Sequence, residues 1–168
     1  MVSHTHMADL DPNLPGRRNY PGYEEDFAAW LQAQADLLRE RRFEELDVAN
    51  LIEEVESVAR SEFRALMRAI ELIVFHMLKW DYQVERQGRS WRDTINTQRR
   101  AVVKLLEDNP SFKSRQEEAL TRAYPGLPEE VEKVTGVPAH RLPTSCPFSW
   151  DEIMNRPHNI DPDRPWPN

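Results

Sequence analysis

The chain is poor in cysteine and glycine and has no long apolar run, and each shortage excludes a class of protein. Its one cysteine, Cys146, excludes an internal disulfide and favours a reducing compartment. Only five residues are glycine, and most of the 13 prolines lie near the two ends, so the centre lacks helix-breaking residues. No apolar stretch is long enough to cross a bilayer, and the first residues lack the apolar core of a secretion signal. We therefore expect a cytoplasmic protein that does not contact membranes.

A surplus of basic charge is also missing. The net charge is −7, which argues against general affinity for nucleic acid because phosphate binding needs a basic surface. The sequence has no glycine-rich phosphate loop, no nucleophile elbow and no zinc-ligand spacing, so we expect neither a cofactor nor a metal ion. What the chain does have is 30% charged and 39% hydrophobic residues, a balance typical of long amphipathic helices.

Apolar residues at three- and four-residue spacing predict the first two helices. The first begins near Tyr23 and carries acidic residues in its first turn and arginines in its last, the order that the helix dipole favours. The second is predicted over 47–80, with Asp47 as its N-cap. Helices of this length usually bend or break, and we expect that at 60–62. Its apolar positions recur at helical spacing along one stripe: Val48, Leu51, Ile52, Val55, Ala59, Phe63, Leu66, Ile70, Ile73, Met77 and Trp80. From Ile70 to Leu78 nearly every side is apolar, so we expect this half to be the central helix of a bundle.

Caps and breakers predict the later helices. Ser90 is expected to cap the third helix, Pro110 to open the fourth, and Gly136 to end a short fifth helix that starts at Pro128. Ser149 and Glu152 have the spacing of a capping box for one last short helix. The fold class expected is all-α, an up-and-down bundle of about four main helices plus short C-terminal helices.

The ends of the chain are polar and proline-rich. We expect a disordered or extended arm over 1–21, a single helical domain over 22–155 and a disordered tail over 156–168. His4, His6 and His158 fall in these predicted ends, and we assign them no role.

Several short phrases, in this order and at this spacing, together resemble one family, the bacterial domain of unknown function DUF29. The resemblance covers about 23–155 and implies an all-helical soluble domain, but no activity. The phrases are residues 23–27 (YEEDF) with Trp30, 46–56 (LDVANLIEEVE), 76–80 (HMLKW), 90–95 (SWRDTI) with Gln98 and Arg99, and Cys146 before Pro147.

His76 is the most suggestive single residue, because it lies in the most apolar stretch of the chain. Burial lowers the pKa of a histidine and a nearby carboxylate raises it, so such a residue can serve as a proton carrier. Glu53 and Glu56 share a helix face and are the candidate carboxylates. The more frequent alternative is a core histidine with one hydrogen-bond acceptor. A metal site is disfavoured because no Glu-x-x-His motif supplies further ligands.

Charge is unevenly distributed along the chain. Between Lys79 and Lys104 seven basic residues face three acidic ones, whereas residues 44–56 contain six acidic residues and no basic one. The basic stretch includes Trp80, Trp91 and Arg99, and aromatic side chains among arginines can stack on bases. The two stretches could instead pair within one bundle or between two copies of the chain.

Arg89, Trp91 and Arg92 surround the predicted start of the third helix. A helix N-terminus offers free amides to an anion, and arginines add bidentate donors. Simple capping by Ser90, with Trp91 anchored in the core, is the alternative.

Three functions remain open from the sequence. The favoured one is a protein-interaction module that binds a protein partner or itself through charged helix faces. The others are a nucleic-acid-associated protein that uses residues 79–104, and an enzyme or small-anion binder. The candidate pocket or binding-site residues are Glu53, Glu56, His76, Lys79, Trp80, Arg89, Trp91, Arg92 and Arg99.

Overall fold

A computed structural model describes residues 20–160, and within that range every regular element is helical. The all-α prediction is confirmed, while the up-and-down order of the helices stays a prediction. The parts of the expected arm and tail at 1–19 and 161–168 lie outside the described residues. The helices are α1 (Phe27–Arg39), α2 (Val48–Tyr82), α3 (Arg89–Asp108), α4 (Gln116–Ala123), α5 (Leu127–Thr135) and α6 (Trp150–Asn155).

The chain forms two compact units, one ending at Val55 and the other beginning at Glu56. We call them the N-terminal unit and the C-terminal unit. The predicted boundaries at 22 and 155 stay predictions.

The N-terminal unit contains α1 and the first turns of α2. Trp30 and Leu37 of α1 are buried, and the buried Gln34 accepts a hydrogen bond from the Asp47 amide at 2.8 Å. Asp47 in turn accepts from the Asn50 amide, which confirms it as the N-cap of α2, and from the Trp30 indole at 3.3 Å. One carboxylate therefore both starts α2 and ties it to α1.

Helix α2 is continuous over 35 residues, so the break expected at 60–62 is absent. Its length is about 52 Å at a rise of ~1.5 Å per residue. The physical reason is in the sequence: neither glycine nor proline occurs within it, and its interior is rich in Ala, Leu, Glu and Arg, which favour helix.

The core of the C-terminal unit is built around the second half of α2. Ile70, Ile73, Met77 and Leu78 are fully buried, which confirms that this half is the central helix of the unit. The residues of later elements in the same buried cluster include Ile95, Val102, Phe112, Ala119, Leu120, Leu127, Val131, Leu142 and Ile153.

Most helix ends follow local chemistry, with two differences from the prediction. Helix α1 begins at Phe27, four residues after the predicted start, with Asp26 as its N-cap, so the acidic residues expected in its first turn precede the helix. Gly136 ends α5 with a φ of 75°, a left-handed conformation that glycine adopts without a steric cost. Ser149 forms the expected capping box with Glu152. Pro110 opens a short 3₁₀ turn, Pro110–Arg115, and α4 begins only after it. The capping role predicted for Ser90 is wrong. Helix α3 begins at Arg89, with Gly88 at the N-cap position, so Ser90 lies inside the helix.

Candidate functional site

His76 makes one hydrogen bond, which stays within its own helix. Its Nδ1 donates to the Leu72 carbonyl at 2.9 Å, and its ring meets the Phe75 ring edge-to-face. Burial lowers the pKa of His76, the Leu72 carbonyl raises it in part, and the nearby Lys79 lowers it further. In the described part of the chain no carboxylate bonds to this imidazole, so it is not arranged as an acid–base pair.

The two candidate carboxylates do not share a pocket with His76. Glu56 and His76 lie on one uninterrupted helix, 20 residues and therefore about 30 Å apart. Glu56 pairs with Arg60 one turn away at 3.0 Å, an exposed contact. Glu53 belongs to the N-terminal unit and is exposed; its neighbour Glu54 accepts a hydrogen bond from the Tyr23 hydroxyl at 2.6 Å.

Lys79 is held between two aromatic rings instead of lining a basic surface. Its Nζ lies 5.1 Å from the centre of the Phe75 ring and 4.5 Å from that of Trp91, and the residue is only 8% exposed. Burial, with a smaller effect from Arg86, lowers the pKa of Lys79. This cation–π contact joins α2 to the first turn of α3 and accounts for both Lys79 and Trp91.

The start of α3 offers weaker support for an anion site than the sequence suggests. Arg92 forms an ion pair with the adjacent Asp93 at 3.1 Å. Gly88 caps the helix without a side chain, and the Ser90 carbonyl accepts from the Thr94 hydroxyl at 2.9 Å. Arg89 is exposed, and it also has an interaction within the protein.

Arg99 binds the C-terminal end of α6. Its guanidinium donates to the carbonyls of Ile153 at 2.7 Å, Arg156 at 2.9 Å and Glu152 at 3.2 Å. These carbonyls lie at the end of the helix, where backbone acceptors lack helical partners, although that of Glu152 also accepts from the Arg156 amide at 3.0 Å. Arg99 is thus a structural residue that holds α6 on α3, and its charge is not free for a ligand.

A partly buried polar cluster that the sequence did not predict lies beside Trp80. Arg156 forms a two-bonded ion pair with Asp81, at 2.9 and 2.5 Å, and the charges of both residues act on His158. The imidazole of His158 meets the Trp80 ring edge-to-face and is 5% exposed. Neither of its ring nitrogens has a hydrogen bond of ordinary geometry to a described residue.

Burial and positive charge keep His158 neutral. Burial, followed by the charges of Arg99 and Arg156, lowers its pKa to about 4, and Asp81 and the Arg156 backbone offset only part of this. His158 is thus buried although we assign it no role from the sequence, and Arg156 and His158 of the predicted tail make defined contacts. No periodicity marks them, because they belong to an irregular segment.

A second unpredicted feature is an arginine-lined groove of about 520 Å³ in the C-terminal unit. Phe63 of α2 and Phe112 of the 3₁₀ turn form its floor and meet edge-to-face at 5.3 Å. We call it the arginine groove; the arginines that line it are Arg60, Arg64, Arg115 and Arg122. A weak signal was present in the sequence, since Arg60 and Arg64 are one turn apart and flank Phe63.

The described residues contain neither a cluster of metal-ligating side chains nor a membrane-spanning helix. Among residues 20–160, no group of three or more His, Cys, Asp or Glu side chains is arranged to hold a metal ion. Over the same residues, no helix combines the length and the apolar character that a bilayer span requires.

Comparison with known proteins identifies a family and no activity. Neither the curated proteins nor the solved structures contain a match to the chain. The model of one family, described as a domain of unknown function, DUF29, matches residues 23–158. That range includes α1 to α6, the arginine groove and the cluster around His158. Because the match covers well over half of the sequence, the chain belongs to the DUF29 family.

Proposed function

We propose that this protein is a bacterial, cytoplasmic protein-interaction module, and that its N-terminal unit binds an amphipathic helix of a partner protein. One observation carries the proposal: large apolar side chains are exposed mainly in that unit. Seven such exposed side chains lie between residues 20 and 55, whereas only six lie in the much longer stretch 56–160. A concentration of exposed apolar side chains is typical of interaction sites.

Helix α1 exposes part of its apolar face. In the sequence, Phe27, Trp30, Leu31, Leu37 and Leu38 recur at three- and four-residue spacing. Trp30 and Leu37 are buried, but the other three are each more than two-fifths exposed. Their spacing of four and seven residues puts them on one side of the helix, as helix–helix recognition requires.

The first turns of α2 repeat this arrangement. Val48, Ile52 and Val55 have the spacing i, i+4, i+7, and Val55 is 69% exposed. These residues belong to the apolar stripe that the sequence predicts along α2, yet all three are exposed. The periodicity correctly predicted a helix face, but a face that binds a partner has the same period as one that lines a core. We call the exposed residues of α1 and α2, Phe27, Leu31, Leu38, Val48, Ile52 and Val55, the interaction face.

Charge indicates what kind of partner fits. Residues 44–56 contain six acidic residues and no basic one, and the whole chain carries −7. A second copy of an acidic chain would meet like charge, whereas a helix with lysine or arginine beside its apolar stripe would meet opposite charge. The partner proposed is therefore a basic amphipathic helix, and self-association is the alternative outcome of the test.

A designed peptide tests this directly. It carries leucine at the a and d positions of three heptads and lysine beside them, and its control has the same composition in a scrambled order. We expect the amphipathic peptide to bind and to shift backbone amide signals within 27–55, while the scrambled peptide does not. Val55→Ser should weaken binding about tenfold, because burial of one valine contributes roughly 1.5 kcal/mol.

Val134→Ser is the matched control, since Val134 is also exposed, at 59%, but lies on α5. Its binding should equal that of the unmodified protein. Equal binding of the scrambled peptide, or an equal loss in both variants, contradicts the proposal. Sedimentation velocity completes the test: a dimer that Val55→Ser dissociates would identify a second copy as the partner.

The nucleic-acid alternative has less support from the geometry. Within the basic stretch 79–104, Lys79 lies between aromatic rings, Arg92 pairs with Asp93, Arg99 binds backbone carbonyls and Lys104 lies 3.6 Å from Asp108. At least four of the seven basic residues of that stretch therefore have partners within the protein. The absence of a gel shift with oligonucleotides at low salt would exclude this alternative.

A further inference from the structure

The arginine groove contains more positive charge than its acidic neighbours neutralise. Glu56 pairs with Arg60 at 3.0 Å, and Glu118 pairs with both Arg115 and Arg122. Two carboxylates thus face four guanidinium groups. The surplus lies in a protein whose total charge is −7, so the groove differs in sign from the chain as a whole.

Arg64 is the guanidinium available to a ligand. It is exposed and lines the groove, and it forms no ion pair or hydrogen bond with any residue in the range 20–160. Arg60 lies one helical turn before Arg64. Its ion pair with Glu56 is solvent-exposed and has the spacing i, i+4. Such pairs contribute little, so an incoming anion can replace Glu56 at low cost.

The other side of the groove is rigid. The Arg115 guanidinium lies 3.7 Å from the centre of the Phe63 ring and makes two hydrogen bonds to Glu118, at 2.7 and 2.9 Å. Glu118 also accepts from Arg122 at 3.0 Å. Stacking and bidentate bonding fix these side chains without a ligand, so binding would not have to order them.

We propose that the arginine groove binds a small organic anion, with its phosphate or carboxylate head on Arg60 and Arg64 and its apolar body against Phe63 and Phe112. The volume of about 520 Å³ falls within the range of small-molecule sites, roughly 300–1,000 Å³. Guanidinium groups recognise phosphate and carboxylate by bidentate hydrogen bonds. Phe63 and Phe112, 4% and 7% exposed, offer the exposed part of each ring to an aryl or acyl group. None of the groove residues belongs to the interaction face, so each proposal can be tested without the other.

Titration with 1-naphthyl phosphate tests the proposal, because this molecule combines both parts and is fluorescent. We expect saturable binding to one site in the full chain. Inorganic phosphate and 1-naphthol each contain one part and should bind at least tenfold more weakly. Naphthoic acid in a parallel titration distinguishes a preference for carboxylate from one for phosphate.

Two substitutions of exposed arginines locate the site. Arg64→Ala should weaken binding of 1-naphthyl phosphate about tenfold, the loss of one charge-assisted contact. Arg100→Ala is the control, because Arg100 is also exposed but lies on α3 outside the groove. It should leave binding unchanged. Circular dichroism of both variants verifies that the fold is retained.

Glu118→Gln provides a change in the opposite direction. It removes a negative charge paired with the groove residues Arg115 and Arg122, so an anion meets less repulsion and should bind several-fold more tightly. The proposal is overturned if Arg64→Ala binds like the unmodified protein, or if Arg64→Ala and Arg100→Ala weaken it equally. It is also overturned if a single-stranded oligonucleotide binds more tightly than the naphthyl compound with a steep salt dependence, which would indicate a nucleic-acid surface.

Discussion

The Nζ of Lys79 lies 4.5 Å from the centre of the Trp91 ring, so a buried ammonium joins α2 to α3, and no carboxylate among residues 20–160 pairs with it. A double-mutant cycle tests its contribution. We expect Lys79→Met and Trp91→Leu, measured by urea unfolding, to show a coupling free energy of about 1 kcal/mol, as desolvated cation–π pairs do. The same cycle with Arg100 in place of Lys79 should give a coupling near zero. Equal coupling in both cycles would contradict the assignment.

Asp47 supports the N-terminal unit through its side chain. It accepts from the Asn50 amide at the start of α2 and from the Trp30 indole, so Asp47→Ala removes a helix cap and leaves a buried donor unpaired. We expect a loss of about 1–2 kcal/mol in the free energy of unfolding. Glu44→Ala changes an exposed carboxylate nearby and should alter it by less than about 0.5 kcal/mol. Similar losses in both variants would argue that charge, and not capping, is responsible.

His158 should make stability depend on pH below neutrality. Its pKa is about 4 in the folded chain and 6.5 as the ordinary value, so between these pH values the unfolded chain binds the proton first. The free energy of unfolding therefore falls as the pH is lowered from 6.5 to 4, by up to about 3 kcal/mol from this residue. His158→Phe should remove that part of the loss, as measured by urea unfolding at a series of pH values.

Arg99, Arg156 and Asp81 also face His158, and they are unchanged in this experiment. The remaining pH dependence in His158→Phe includes His76, whose pKa is also lowered. His140→Asn, at an exposed histidine, should keep the full loss. A His158→Phe profile that coincides with that of the unmodified protein would show that the imidazole is not sealed as described.

Glu118 should stay ionised to very low pH. Hydrogen bonds from Arg115, then from Arg122, lower its pKa to about 2 from an ordinary value of 4.5. Its stabilising contribution is therefore complete above pH 4.5 and is lost as the pH falls toward 2. In an NMR titration of side-chain carboxyl carbons, Arg115→Ala should raise the pKa of Glu118 toward 4.5. Glu152, whose pKa is lowered by Ser149, is the internal control and should not change.

Local chemistry in the sequence was enough to predict most helix ends. Asp47, Gly136 and Ser149 act where their side chains or conformations suggest, because caps depend on atoms within one helical turn. The N-cap prediction for Ser90 was wrong because glycine can also occupy an N-cap position, and the residue pattern does not distinguish Gly88 from Ser90 there. The prediction of a break at 60–62 was wrong because it relied on the usual length of helices and not on a helix-breaking residue.

The candidate site was predicted less well, and the reason is distance along the chain. Glu56 and His76 were grouped by chemistry, yet one continuous helix separates them by about 30 Å. Arg99 was counted as surface charge, but its acceptors are carbonyls more than 50 residues later. Arg64 and Arg122 were not connected at all, because only the packing of α2 against the segment after α3 brings them to one groove.

The sequence by itself determined that the chain is helical, where α2 begins and which half of α2 is central, since each follows from periodicity and caps. The sequence was also sufficient to identify the family. Only the tertiary structure decided which apolar faces are buried. Ile70 and Val55 belong to the same periodic apolar stripe of α2, yet Ile70 lies in a core and Val55 is exposed. Periodicity specifies a face of a helix, and only the other elements of the fold determine what covers it.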